Sequence, residues 1–238
     1  MATEITINKA ERGFSLLELL IAMTLTIVIT GLACTLLARS LNIRTKTNAN
    51  ADALADAQRA LNIMSREIAN AGFNLTDNGI VAGDSTTDSN GNSTLRLRAN
   101  LNKFNASATT GARNGIGTTG EDAGEDVKYF IYSAANTNLL ARYDAWVVAG
   151  GKSTVLANRL DSLHIHYYSQ NVTYTTAGCD ITGTSSAEVS PDAAKYLVLA
   201  VCVQLTAVGT PGGPGYQPAT SVLLVSDVAL RNSNLPVY

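Results

Sequence analysis

Charge is scarce in this chain, and what there is forms no basic pattern. Asp, Glu, Lys and Arg make up 15% of the 238 residues, the formal net charge is -2, and the 17 Lys and Arg are scattered. With no basic stripe to track phosphates, nothing argues for a nucleic-acid partner. Aromatic residues amount to only 6% while Gly, Ser, Thr and Asn abound, which favours a strand-and-loop domain with many turns over a helical bundle. No G-x-S-x-G elbow exposes a serine nucleophile near Asp161 and Ser162, and neither a phosphate loop nor a dinucleotide fingerprint is present. No catalytic site is read, and no cofactor is expected.

Cysteine is sparse too. Cys34 lies inside a long apolar run, so Cys179 and Cys202 are the one possible pair in the remainder. Joined, they close a loop of about two dozen residues, worth roughly 3 kcal/mol by loop entropy, and imply an oxidising compartment. The alternative is two reduced, buried thiols. His164 and His166 share one face of a strand candidate in "HIHYY", but no cysteine or further histidine stands by to complete a metal site. Leu163, Ile165 and Tyr167 claim the core face, which leaves the imidazoles on a polar sheet surface.

What the chain does have is "FSLLELLIAMTLTIVITGLACTLLA", residues 14–38, with a single charge, Glu18, and no proline. As a helix it extends roughly 38 Å, enough to cross a bilayer with some tilt. A secretory signal places small residues after a shorter apolar core, and cleavage there discards the core. Here the small residue, Gly13, comes first, so a cut after it removes only "MATEITINKAERG" and keeps the helix. An unpaired carboxylate at membrane depth costs about 2.5–3.5 kcal/mol on insertion scales, so it needs a partner. Cleavage creates one. The Phe14 amide becomes an α-amine with an ordinary pKa of about 7.7–8, one helical turn from Glu18, and the helix dipole favours a carboxylate at that end. The pair can close within one helix, or the amine can meet the Glu of a neighbour.

"RGFSLLELLIAM" resembles the prepilin cleavage and methylation signal of type IV pilins and type II secretion pseudopilins. The resemblance implies cleavage between Gly13 and Phe14 by a prepilin peptidase, N-methylation of Phe14, and an assembly charge pair between Glu18 and Phe14. It also implies an inner-membrane protein with a cytoplasmic leader and a periplasmic head, whose helix packs with other pilins in an extracellular pilus or a periplasmic pseudopilus. Charge counting alone does not set this orientation, because Lys9 and Arg12 are outnumbered by Arg39, Arg44 and Lys46 beyond the apolar run.

After that run, Leu54, Ala57, Leu61, Met64 and Ile68 recur at spacings of three and four, which predicts one helix over 14–71 with an apolar stripe in its second half and Gly72 as its stop. Four regions follow: a leader at 1–13, a transmembrane or filament-core helix at 14–38, its amphipathic continuation at 39–72, and a β-rich head at 73–238. "TLRLRA" alternates, and further strands are expected at 127–132, 139–149, 160–168, 196–207 and 221–231. In "YLVLAVCVQLTA", Leu197, Leu199, Val201, Val203 and Leu205 share the face expected to press on the helix. Cys202 points the other way, where Cys179 can reach. "GTPGGPGYQP" reads as an irregular hairpin tip. A helix followed by an antiparallel sheet is the α+β class, matching the pilin fold that the signal implies.

"RALNIMSREIANAGF", "LRLRANLN", "GEDAGEDVKYFIY" and "LANRLDSLHIHYY" resemble landmarks of W-type minor pilins, relatives of the J-type pseudopilins. That likeness implies a minor pilin, a non-enzymatic subunit that primes or caps assembly of a type IV pilus. A J-type pseudopilin, a major pilin, or an adhesin or ligand-binding head displayed on a pilin stem remain as alternatives. Relatives often carry a Ca²⁺-like acidic run just upstream of "GEDAGED". Here that place holds "NLNKFNASATTGARNG", without one acid, so a cage built on Glu121, Asp122, Glu125 and Asp126 is incomplete and a solvated acidic loop is the expectation.

Overall fold

The computed structural model describes residues 15–73, 75, 77–101, 123–134, 137–147, 151–213 and 216–232. Helix α1, Leu16–Asn70, runs unbroken for 55 residues. Two compact units meet inside it, Met1–Thr45 and Lys46–Tyr238. In the first unit every described residue is exposed, including Leu16, Leu17, Ile27 and Leu36. Leu, Ile, Ala and Met sustain this stretch without proline. Four of its threonines return their hydroxyls to the helix, Thr24 to the Ile21 carbonyl at 2.9 Å, Thr26 to Ala22 at 2.7 Å, Thr35 to Leu32 at 2.8 Å and Thr45 to Leu41 at 3.0 Å. Their polarity is thereby satisfied without water, which suits an apolar environment.

In the second unit the helix changes its rule. Ala53, Ala57, Ala60, Leu61, Met64 and Ile68 are buried, a stripe richer in alanine than the one expected, with Leu54 only partly covered. Small side chains let the helix approach the sheet closely. The helix ends as Gly72 turns to φ +73°, a conformation that costs a Cβ-bearing residue energy. The last carbonyls, normally left without donors, accept from Asn232 Nδ2 at 3.3 Å for Asn70 and 3.2 Å for Ala71.

The head carries strands β1 Leu95–Arg98, β2 Asp126–Ala134, β3 Thr137–Asp144, β4 Lys152–Tyr168, β5 Thr175–Ala177, β6 Asp180–Thr182, β7 Tyr196–Leu205 and β8 Thr220–Ala229. Six form one antiparallel sheet in the order β1-β2-β3-β4-β7-β8, and β5 and β6 make a separate hairpin between β4 and β7. Together with α1 this is an α+β, pilin-like fold. The alternation in β7 works as its sequence predicts: Leu197, Leu199, Val201 and Val203 join the helix stripe in one core. The opposite face is covered as well. Val198 and Ala200 pack with Tyr168, Val172 and Ile181, so β7 is buried on both sides by the β5–β6 excursion.

Two differences from the expected strands have physical causes. β4 begins at Lys152, well before residue 160, because its first residues are exposed and pair only with β3, so they carry no apolar signal. β3 stops at Asp144, whose carboxylate accepts the Trp146 amide at 3.1 Å and turns the chain. The last two strands of the sheet are joined through a Val208–Gln217 bridge that closes the glycine- and proline-rich tip.

After α1 the chain crosses back over β1, with Gly72 N–H donating to the Arg98 carbonyl at 2.9 Å and Arg98 N–H to that of Gly79 at 2.7 Å. A Cβ on Gly79, at φ +75°, would stand 2.1 Å from Gly72 N and 2.3 Å from Arg98 O. Gly91 has a similar φ, +84°, with nothing within 4 Å. Thermal denaturation of the full chain in detergent should therefore show Gly79→Ala losing more than about 2 kcal/mol and several degrees of Tm, and Gly91→Ala only about 1 kcal/mol.

Candidate functional site

The helix start in the first unit carries one half of a capping box. Ser15 precedes the first helical residue, and three positions on the Glu18 carboxylate reaches back so that Oε2 accepts the Ser15 amide at 3.4 Å. The Ser15 carbonyl takes the first helical hydrogen bond, from Leu19 N–H at 3.1 Å. Glu18 is thus held at the positive end of the helix, its head group toward the peptide that joins Ser15 to Phe14. Gly13 and Phe14 lie outside the described residues. From Ser15 to Ala38 no other charged side chain occurs. The spacing S-x-x-E carries this cap, and only its Glu was read from the sequence.

Residues 8–33 match the sequence model of the family described as the prokaryotic N-terminal methylation motif. This is a prepilin-type N-terminus. It supports a type IV pilin-like protein, with processing by prepilin peptidase and membrane association with other pilins. The motif and the exposed apolar helix together support anchoring in the inner membrane. No curated protein and no solved structure matches the chain.

The sequence predicts a solvated acidic loop and no complete cation site, but within the pilin-like head Glu125 and Asp126 are buried and held by partners of their own. Glu121 and Asp122 lie outside the described residues. Asp126 is buried and held bidentately by Arg96, Nε to Oδ1 at 2.7 Å and Nη2 to Oδ2 at 2.8 Å, with Arg98 Nε adding 3.2 Å to Oδ2. Glu125 Oε1 accepts the Leu101 amide at 2.8 Å. A cation here would have to displace two guanidinium groups. Arg96 also reaches Asp84 at 2.6 Å, and that hydrogen bond holds the Asp84 carboxyl below its usual range. The "LRLR" alternation already places both arginines on the outward face, and acids near them in space are the signal that sequence spacing hides.

A second cluster was not anticipated at all. Arg142 lies between Glu67 of α1, with Nη2 2.9 Å from Oε1, and Asp144 of its own strand at 3.1 Å. The Tyr129 hydroxyl donates to Glu67 Oε2. Burial first, then the Glu67 charge, pushes the Tyr129 phenol far above its usual value, so it stays the donor. This group ties the helix to β2 and β3.

The two histidines do face away from the core, yet they are not on an open surface. His166 sits between two carboxylates, Nε2 2.7 Å from Asp180 and Nδ1 2.7 Å from Glu188, while His164 Nδ1 lies 3.7 Å from the other oxygen of Asp180. The contacts bind β6 and the loop after it to β4. Cys179 and Cys202 are bonded to each other at 1.99 Å, fixing the same hairpin to β7. Of the described aromatic residues, Tyr129, Tyr167 and Tyr168 are buried, and Phe73, Tyr132, Trp146 and Tyr216 are among the exposed large side chains.

Burial alone would depress His166, but hydrogen bonds from Glu188 and Asp180, with their charges, outweigh it and raise its pKa. The raised value fixes the sign: the clamp's contribution is complete below about pH 6.5 and is lost as pH rises through the higher folded-state value. The full chain in detergent should be measurably less stable to denaturant at alkaline than at slightly acidic pH. His166→Gln, which hydrogen-bonds without titrating, should flatten that part of the profile.

Proposed function

We propose that the chain is a minor pilin that primes or caps assembly of a type IV pilus, acting as a structural subunit and not as an enzyme. It is cut between Gly13 and Phe14, Phe14 is N-methylated, and the new amine pairs with Glu18 of its own helix or of a neighbour. The observation that carries this reading is the position of Glu18: the one charge between Ser15 and Ala38 of an exposed apolar stretch, turned back to the first helical turn. There a cationic terminus would neutralise it, and the prepilin-type motif supplies the chemistry that makes such a terminus. A J-type pseudopilin or a major pilin would use the same N-terminus, and copy number separates them. Quantitative mass spectrometry of sheared filaments should find few copies per fibre; thousands would make this a shaft subunit.

The decisive variant is Glu18→Ala. Membrane insertion and cleavage should persist, with a mature N-terminus at methylated Phe14 by mass spectrometry. The amount recovered in the filament fraction should fall by roughly tenfold, as expected for losing an interaction of about 1.4 kcal/mol. Undiminished incorporation would remove the charge pair from the mechanism.

A further inference from the structure

β4 is bulged on both of its edges around one short stretch. Toward β3 the register passes from Leu140↔Ala157 to Asn138↔Leu160, and toward β7 from Leu160↔Val203 to Ser162↔Cys202. Each step leaves an extra residue on β4. Within the stretch Arg159 has φ +56°, and it is the one non-glycine residue with positive φ among those described. A long side chain in the left-handed region is strained, and such strain gathers where a fold must aim a functional group. Bulges re-aim side chains in the same way.

Arg159 is aimed at a cleft of about 360 Å³ lined by Thr137, Asn138, Leu160, Asp161, Gln204 and Thr206. That volume lies in the range of small-ligand sites, about 300–1,000 Å³. Leu160 is the only apolar side chain in the wall. Arg159 Nη1 is shielded from solvent, and no described residue supplies it an acceptor. A guanidinium nitrogen left in that state costs free energy that a carboxylate would recover through a charge-assisted pair. Binding in the cleft requires the guanidinium to rotate so that Nη1, shielded now, faces the ligand.

Asp161 shares the cleft, and its carboxylate accepts from Ser221 Oγ at 3.2 Å. Its negative charge disfavours a bare anion. It would welcome an anion that brings hydroxyl donors of its own, and Thr137 and Gln204 extend the same polar wall, while Asn138 and Thr206 are already bonded to Ser133 and Asn50. We propose that this cleft binds an acidic sugar of the uronate class, with Arg159 taking the carboxylate and Asp161 a ring hydroxyl. The inference goes beyond filament assembly and does not depend on it, since every residue used belongs to the head.

The test is titration of the full chain in detergent with glucuronate, followed by calorimetry or amide chemical shifts, with glucose and acetate as controls. Glucuronate should bind with a Kd on the order of 1 mM and more tightly than either control. Arg159→Asn should weaken it by about tenfold or more, the effect of losing one charge-assisted pair. Asn tolerates the left-handed region, so this variant should melt no lower than the parent, which separates loss of the site from loss of the fold. The proposal fails if glucuronate does not bind, if glucose or acetate binds as tightly, or if Arg159→Asn keeps the parental affinity. Glucuronate binding and the Glu18→Ala filament measurement are read on different assays, so either can fail alone.

Discussion

A negative charge in an apolar helix has three ways to exist: paired with a cation, kept neutral by protonation, or held where water still reaches it. For Glu18 we propose the first. Its carboxylate faces the start of the helix, where the backbone dipole and the Ser15 amide already favour an anion. Those neutral donors stabilise the group only in part, and the proposed cationic terminus at Phe14 would complete the arrangement. On the proposed reading, cleavage at Gly13 would produce that charge, and processing would be coupled to assembly by electrostatics.

The head obeys the same constraint with different partners. Its buried or half-buried carboxylates meet guanidinium, imidazole or backbone donors: Asp126 with Arg96 and Arg98, Glu67 with Arg142 and Tyr129, Asp180 with His166. Breaking such a pair leaves a buried charge without compensation, which costs more than forming the pair gains. These networks therefore fix which element lies against which. Glu67 with Arg142 registers α1 on β3, and His166 with Asp180 registers β6 on β4. Arg159 departs from the pattern, and it does so at the most distorted point of the sheet.

Much of this was legible in the residue order. The α1 stop at Gly72, the core face of β7 and the outward turn of Cys202 all follow from local periodicity, which one chain reveals by itself. Glu18 was legible because a lone charge in an apolar run is conspicuous. What escaped was of two kinds. The first half of β4 and the β5–β6 hairpin are exposed or short, so no alternation marks them. The pairs Glu67–Arg142 and Asp84–Arg96 join positions distant in sequence, and nothing local distinguishes their members from ordinary surface charges. The bulge at Arg159 is a mismatch between strands, a property that no single strand carries.

The helix itself shows how one secondary structure can satisfy two solvents. Where it packs on the sheet it presents Ala53, Ala57 and Ala60, and its larger apolar groups, Leu61, Met64 and Ile68, are buried to within a few per cent. Before Thr45 the order is reversed: Leu, Ile and Val project on all sides, and Leu16 is 83% exposed. An apolar surface so continuous is far beyond what a dissolved monomer leaves bare. Cover must come from lipid or from other helices of the same kind. In lipid, Leu gains nothing over the solvent it leaves, so association between such helices has to be driven by packing and by polar contacts. With the Thr24, Thr26 and Thr35 hydroxyls already bonded within their own helix, the polar contact we propose to direct it is the one at Glu18.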